Sequence, residues 1–184
     1  MRKIILAINT TPEGFCDHRG VIPDSEMHQF YADLLKDAGT MLFGRKTYQL
    51  LEAYWPDVAK NRTGTKEEID FADMSTAIQK VVFSKKGIEP VWQNTIVLND
   101  LNESVLQKLK EQPGGDIFVG SPTIVDQLIK LGMIDEYIFV VHPIIFGNGK
   151  RFFENIKLST PVRLAFDRVK QFESGAIGLF YRSS

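Results

Sequence analysis

The stretch that decides the fold is Met41-Leu42-Phe43-Gly44-Arg45-Lys46-Thr47-Tyr48, which runs from a short apolar segment through one glycine into a helical pattern. A second stretch repeats this design, Ile117-Phe118-Val119-Gly120-Ser121-Pro122-Thr123-Ile124. A junction of this kind presents free backbone N–H groups and the positive end of a helix dipole at the end of a strand. Either junction alone is also compatible with an ordinary turn. Two of them on one sheet predict a site for the phosphates of a nucleotide.

Composition indicates one ordinary domain over residues 1–184. The formal net charge is −1, so no overall basic field favours nucleic acid as a partner. No apolar run reaches the length of a membrane span, and the N-terminus begins with a strand pattern rather than a signal peptide. Cys16 is the only cysteine, which excludes an internal disulfide and fits a reducing cytoplasm. No spacing of His, Asp, Glu or Cys suggests a metal site, so we expect none.

Apolar periodicity predicts eight strands and four helices. The strands are expected at 3–8, 40–43, 80–84, 95–98, 116–119, 136–142, 162–172 and 177–181. The helices are expected at 25–38, 46–54, 99–112 and 122–131. Gly39 is expected to end the first helix and Trp55-Pro56 the second. The polar stretch 57–76 is expected to be a surface excursion of weak helical character.

The order of these elements predicts an α/β architecture. Early strands alternate with helices, so we expect them to be parallel, whereas the last two strands form an antiparallel hairpin at an edge. Helices should cover both faces of this mixed sheet. No Gly-x-Gly-x-x-Gly follows the first strand, which argues against a Rossmann dinucleotide fold.

Four segments, with the strand order, resemble a known superfamily over nearly the whole chain. They are Glu13-Gly14-Phe15, Gly44 to Tyr48 with the later Tyr54-Trp55-Pro56, Val119 to Thr123, and Pro143 to Phe153. They resemble the dihydrofolate reductase fold. The resemblance is closer to the reductase (C-terminal) domain of the bifunctional riboflavin biosynthesis deaminase–reductase and its stand-alone bacterial relatives. It implies a three-layer α/β/α domain with a mixed eight-stranded sheet, and NADPH lying across the carboxyl ends of the parallel strands.

The resemblance also implies a set of residues that bind NADPH. These are Ala7, Gly44, Arg45, Lys46, Thr47, Ser84, Lys85, Lys86, Gly120, Ser121, Pro122 and Thr123. Arg45, Lys85 and Lys86 are cations that suit the 2′-phosphate which distinguishes NADPH from NADH. Each cation has an alternative interpretation, because Lys85 and Lys86 can form a solvated turn and Arg45 can lie on a helix surface.

The expected substrate site lies between the loop 9–22, the first helix around His28 and the segment 48–55. Its walls are predicted to include Asn9, Tyr48, Leu51, Tyr54, Trp55 and Gly147. Dihydrofolate reductases carry a carboxylate on the first helix, and that position falls near His28, so dihydrofolate itself is not the expected substrate. His28 is the first candidate for a proton donor and Glu13 the second. The alternatives are a half-exposed helix histidine and a carboxylate that only supports the loop.

The leading hypothesis is an NADPH-dependent reductase of a small heterocyclic or ribosyl-amine substrate, similar to 5-amino-6-(5-phosphoribosylamino)uracil reductase. The alternative is a non-catalytic nucleotide-binding or ligand-binding protein that kept the fold. The hairpin 162–181 is rich in apolar residues, so we expect a homodimer. A monomer whose edge is blunted by charged side chains is the alternative. A small-molecule substrate is expected as partner, and neither nucleic acid nor membrane.

Overall fold

The computed structural model describes residues 1–21 and 23–184. Ile22, the last residue of the predicted first loop, lies outside the described residues. The strands are β1 (Ile4–Thr10), β2 (Ala38–Gly44), β3 (Gln79–Phe83), β4 (Thr95–Leu98), β5 (Asp116–Val119), β6 (Glu136–Val141), β7 (Leu164–Gln171) and β8 (Ile177–Ser183). The helices are α1 (Ser25–Lys36), α2 (Arg45–Glu52), α3 (Trp55–Asn61), α4 (Lys66–Ala77), α5 (Glu103–Glu111) and α6 (Pro122–Lys130), with one 3-10 turn at His18–Gly20.

All eight strands form one sheet in the order β4-β3-β2-β5-β1-β6-β8-β7. The pairs from β4 to β6 are parallel, and β8 pairs antiparallel with both β6 and β7. This confirms the predicted mixed eight-stranded sheet with a C-terminal antiparallel hairpin. The carboxyl ends of β1, β2 and β5 are neighbours in the middle of the sheet, where the two strand–glycine–helix junctions begin.

Helices cover both faces, which gives the three predicted layers. On one face, Leu106 of α5 and Leu128 of α6 pack against apolar side chains such as Ile4 of β1. On the other face, Met27 and Leu35 of α1 and the side chain of Phe71 in α4 pack against side chains such as Met41 of β2. The sheet is therefore buried on both sides along its parallel centre, and a ligand must enter at the strand ends.

The polar stretch 57–76 differs from its prediction, because two helices, α3 and α4, occupy most of it. Trp55 and Pro56 open α3 instead of ending α2, since a proline in the first turn has no N–H that the helix would need. At α4 the Thr65 hydroxyl accepts from the Glu68 backbone N–H, and the Glu68 carboxylate accepts from the Thr65 N–H. This capping box was present in the sequence as Thr65-Lys66-Glu67-Glu68.

Gly39 does not end a helix, since α1 stops at Lys36 and Gly39 lies inside β2. A Cβ at this position would stand 2.9 Å from the backbone nitrogen of Gly115. The glycine therefore allows the starts of β2 and β5 to approach closely, beside the register shift between Ala38 and Thr40.

Candidate functional site

A cleft of about 470 Å³ lies at the carboxyl ends of β1, β2 and β5, on the α1 side of the sheet. Its floor is formed by apolar side chains of the sheet, including Met41, Phe43 and Phe118. Trp55 at the start of α3 and Phe71 of α4 contribute aromatic walls. Apolar walls with few polar groups are typical of a site for a flat organic ring.

The two helix junctions meet at the rim of this cleft. The backbone N–H of Gly44 donates to the Ser121 hydroxyl over 3.0 Å, and that hydroxyl lies 2.9 Å from the Thr47 hydroxyl. It also lies 3.1 Å from the hydroxyl of Thr123. A Cβ on Gly44 would collide with the Thr123 side chain, so this approach requires glycine. The N-termini of α2 and α6 therefore form one joint structure.

Half of the predicted cofactor residues line the cleft. They are Ala7, Lys46, Thr47, Gly120, Pro122 and Thr123. Gly44 and Ser121 lie directly behind the rim, where Ser121 is completely buried and joins the junctions. Arg45 is partly exposed, and its guanidinium donates to the Gln49 side chain over 3.4 Å.

Ser84, Lys85 and Lys86 form a turn at the carboxyl end of β3, outside the described lining of the cleft. The Ser84 hydroxyl donates to the carbonyl oxygen of Gly87 over 3.1 Å, and the Gly87 N–H donates back to Ser84. Lys85 and Lys86 are exposed in this turn. Their positions are compatible with the solvated turn and also with the outer end of a long ligand.

Asn9, Leu51 and Trp55 are the predicted substrate residues that line the cleft. Tyr48 does not, because its side chain is fully buried in the core and its hydroxyl donates to Glu52 over 2.6 Å. Tyr54 is half exposed and packs edge-on against Trp55. The interpretation of Tyr48 as a substrate wall therefore has to be corrected: its aromatic ring stabilises the sheet rather than the cleft.

His28 lies in the cleft lining and is half buried. Its ring meets Trp55 edge-on with the ring centroids 6.0 Å apart. Burial lowers the pKa of His28, while the carboxylates of Glu68, Asp24 and Glu67 act in the opposite direction. The imidazole is therefore mostly neutral at pH 7 and gains its proton in mildly acidic solution.

Glu13 binds a neighbouring loop segment and does not belong to the described lining of the cleft. Its carboxylate accepts hydrogen bonds from the backbone N–H groups of Phe146 (2.6 Å) and Gly147 (3.1 Å). These bonds fasten the first loop to the segment after β6, as does the bridge between Phe15 and Arg151. Both Glu13 and Gly147 thus hold the mouth of the cleft together, and neither lies in its described lining.

Several cleft residues were not predicted as site residues. They are Ile8, Cys16, Asp17, His18, Val21, Pro23, Met27, Tyr31, Met41, Phe43, Leu50, Phe71, Phe118 and Lys150. Met27 and Tyr31 belong to the apolar stripe of α1, which periodicity alone assigns to the core. The signal that could have found Tyr31 is its spacing from His28, since a residue three positions away lies on the same helix face. Met27 then follows from Tyr31, which lies four positions further along the helix.

Within residues 1–21 and 23–184, no helix is long and apolar enough to cross a membrane. The same described part of the chain contains no group of three or more His, Cys, Asp or Glu side chains that could hold a metal ion.

Comparison with known proteins assigns the chain to a family. The sequence profile of the RibD C-terminal domain matches residues 14–177. The chain belongs to this family. The uncharacterized protein YyaP of Bacillus subtilis is 30% identical over 186 residues, which cover 98% of this chain and 94% of YyaP. The family match confirms the resemblance to the reductase domain of the riboflavin biosynthesis deaminase–reductase.

Solved structures share the fold at low sequence identity. A pyrimidine reductase-like protein of Corynebacterium diphtheriae superimposes with a TM-score of 0.68 at 15% identity, covering all of this chain and 92% of the other. A deaminase/5-amino-6-(5-phosphoribosylamino)uracil reductase of Thermotoga maritima has a TM-score of 0.68 at 18% identity, and the match covers 57% of that chain. At these identities the two structures show that this chain shares their fold.

Proposed function

We propose that the protein is an NADPH-dependent reductase of a small flat heterocyclic or ribosyl-amine compound. The observation that carries this proposal is the cleft, where an apolar floor lies beside the joined N-termini of α2 and α6. Membership of a reductase-like family supports it. The substrate class follows the reductase activity named for the Thermotoga maritima protein, a ring with a ribosyl-amine substituent.

The rim of the cleft fits the phosphates of a dinucleotide. Thr47 and Thr123 offer hydroxyl groups, Lys46 offers an ammonium group, and the first turns of α2 and α6 offer backbone N–H groups. Helix N-termini and charge-assisted donors are the usual partners of phosphate oxygens. A preference for NADPH over NADH rests on Arg45, Lys85 and Lys86, which follow the neighbouring strands β2 and β3.

The floor of the cleft fits flat rings. Met41, Phe43 and Phe118 provide an apolar surface, and Trp55 and Phe71 close one side of it. When bound, NADPH supplies the hydride that reduces the substrate. The protein's own contribution is to hold both rings together and to exclude water from them.

His28 is the residue we assign to proton donation. It lines the same cleft, burial lowers its pKa, and its ring packs edge-on against Trp55. Hydride transfer requires no acid, whereas the complete reduction also consumes one proton. One positioned imidazole is sufficient to supply that proton.

Titration of the purified protein with NADPH and with NADH, followed by nicotinamide fluorescence, tests the cofactor. We expect tighter binding of NADPH, and a loss of about tenfold in Lys46→Gln because one charge-assisted contact to phosphate is removed. Lys60→Gln is the matched control, since Lys60 is an exposed helix lysine outside the cleft lining. Equal affinity for the two nucleotides, or binding of neither, would contradict the NADPH assignment.

A ligand-binding protein without catalysis is the second candidate. It is favoured by the engagement of Glu13 in loop contacts, which leaves the cleft with few acidic groups. The two functions differ in one measurement. A reductase oxidises NADPH when a suitable ring compound is added, whereas a binding protein holds both without loss of absorbance at the nicotinamide band.

A further inference from the structure

Asn9 and His142 form a side-chain pair behind the cleft. The Nε2 atom of His142 lies 2.9 Å from the Oδ1 atom of Asn9. Asn9 lies near the end of β1 and lines the cleft, whereas His142 follows β6 and is only 3% exposed. The neighbouring strands β1 and β6 are paired in register at this level, with Asn9 opposite Val140.

The backbone fixes the position of His142. Its N–H donates to the carbonyl oxygen of Thr10 over 2.8 Å, and its own carbonyl accepts from Ile144 over 2.8 Å. The imidazole is thereby held against the end of β1. A buried imidazole whose backbone is held on both sides can select one orientation of the side chain that it contacts.

The chemistry of the two facing atoms sets the direction of their hydrogen bond. An amide oxygen only accepts, so the contact requires a proton on His142 Nε2. Burial lowers the pKa of His142, which favours the neutral ring, and the contact with Asn9 Oδ1 then places the single ring proton on Nε2. The Asn9 Nδ2 group is then left with two donors, and among the described residues no acceptor takes them.

We propose that His142 is a positioning residue that turns the Asn9 amide so that its NH2 group donates to a ring-bound carbonyl oxygen in the cleft. This inference rests on the proposed function and narrows its substrate class. The preferred compound carries a carbonyl oxygen on its ring, as pyrimidinediones do. A ring that presents only hydrogen-bond donors to the Asn9 NH2 group should bind more weakly. The nicotinamide carboxamide offers the same chemical group, and the experiment separates the two sources.

The first measurement is the tautomer of His142, read from the ¹⁵N shifts of its ring in the whole protein. We expect the Nε2–H form at pH 7. The Nδ1–H form would reverse the amide, present Oδ1 to the cleft and overturn the proposal. In Asn9→Asp a carboxylate replaces the amide at 2.9 Å from Nε2, and the pKa of His142 should rise.

The second measurement is the affinity for two bicyclic probes of the same outline. Quinazoline-2,4-dione carries ring carbonyls, and naphthalene carries none. We expect His142→Phe to weaken the dione about tenfold, the usual scale of one well-formed hydrogen bond, and to change naphthalene by less than about twofold. His142→Gln keeps a donor at this position and should restore most of the dione affinity. Asn9→Asp should weaken the dione at least as much as His142→Phe.

NADPH affinity in the same variants identifies the source of the carbonyl. A loss for the dione with unchanged NADPH binding assigns the amide to the substrate, and a loss for NADPH alone assigns it to the nicotinamide carboxamide. Unchanged affinity for both in correctly folded His142→Phe and Asn9→Asp would overturn the proposal. Failure of the reductase function looks different, because the dione would still bind with this dependence while no acceptor caused NADPH oxidation.

Discussion

The hydroxyl of Ser121 lies 3.0 Å from the backbone nitrogen of Gly44, 77 residues away in the chain. Ser121 stands at the N-cap of α6, but its side chain makes no capping bond to that helix. It accepts instead from the residue that precedes α2, so the N-terminus of one helix is fixed by the cap residue of the other. Two helix dipoles thereby converge on the same rim of the cleft, where a pyrophosphate could meet both.

Ser121→Ala should lower both stability and NADPH affinity. The substitution leaves the buried Gly44 N–H without its acceptor, so we expect a loss of about 1–3 kcal/mol in the free energy of unfolding, measured with urea. The matched control is Ser104→Ala, since Ser104 is exposed in α5 and should change stability by less than about 0.5 kcal/mol. Equal effects of the two substitutions would show that the bond to Gly44 contributes nothing.

Gly120→Ala should weaken NADPH binding while leaving the fold intact. A Cβ at Gly120 would stand 3.1 Å from a ring carbon of Phe118, so that ring must shift slightly, and the methyl group would enter the cleft. Gly178→Ala is a matched control, because its Cβ would also stand 3.1 Å from a phenyl carbon, that of Phe180, outside the cleft. We expect a loss of about tenfold or more in NADPH affinity for Gly120→Ala only. Wild-type affinity in that variant would move the pyrophosphate site elsewhere.

The positions of the strands along the chain could be predicted because apolar runs, and the glycine and proline residues that end them, are local signals. All eight strands lie where periodicity expected them, and the glycine junctions lie at the expected helix starts. The helices α3 and α4 were missed because the polar residues of 57–76 hide a weakly amphipathic pattern. The interior also contains a feature that a pattern cannot foresee: Lys80 is fully buried, and its ammonium group donates to the carbonyl oxygens of Ser75 and Thr76 at the end of α4.

Tyr31→Phe should leave the protein as stable as before or more stable by up to about 1 kcal/mol. Among the described residues, the buried Tyr31 hydroxyl finds no hydrogen-bond partner, so its removal abolishes a desolvation cost. Burial also raises the pKa of Tyr31 far above its usual range. Tyr48→Phe is the matched comparison, since its hydroxyl contacts both Glu52 and Thr95, and it should cost about 1–3 kcal/mol. Urea unfolding of both variants measures the two changes in the free energy of unfolding. A clear loss of stability in Tyr31→Phe would show that the Tyr31 hydroxyl has a hydrogen-bond partner after all.

The part of the site that the backbone determines could be predicted from the sequence, and the direction of the side chains could not. Backbone-determined features, such as Gly44, Gly120 and the start of α6, follow from local sequence. Side-chain direction does not, because Tyr48 and Leu51 lie on one short helix and only Leu51 faces the cleft. Tertiary packing against Trp92, whose ring centroid lies 6.1 Å from that of Tyr48, turns the tyrosine inward.

His28→Gln should lower turnover roughly 100-fold with little change in NADPH affinity, the usual scale for losing a positioned proton donor. The imidazolium is the form that donates the proton, and burial lowers the pKa of His28 from its usual value. Turnover of the wild type should therefore rise as the pH falls toward that pKa from above, and level off below it. The variant should lose this limb of the pH–rate profile. A profile that is identical in both proteins would assign the proton to water.

The C-terminal edge of the sheet should form a homodimer. β7 is the last strand of the sheet, and Phe166 and Val169 on it are 64% and 57% exposed. An unpaired edge that carries large apolar side chains is normally covered by a partner, and a two-fold axis perpendicular to β7 would let two copies of this edge cover each other. Phe166→Lys should therefore dissociate the dimer, whereas Val91→Lys, at a side chain 83% exposed in the connection before β4, should not.

Light scattering at micromolar concentration measures the mass of the particle in solution and so separates dimer from monomer. A mass near 20.9 kDa for the wild type would show a monomer, in which charged neighbours such as Arg168 and the Asp167–Arg182 ion pair keep the edge free.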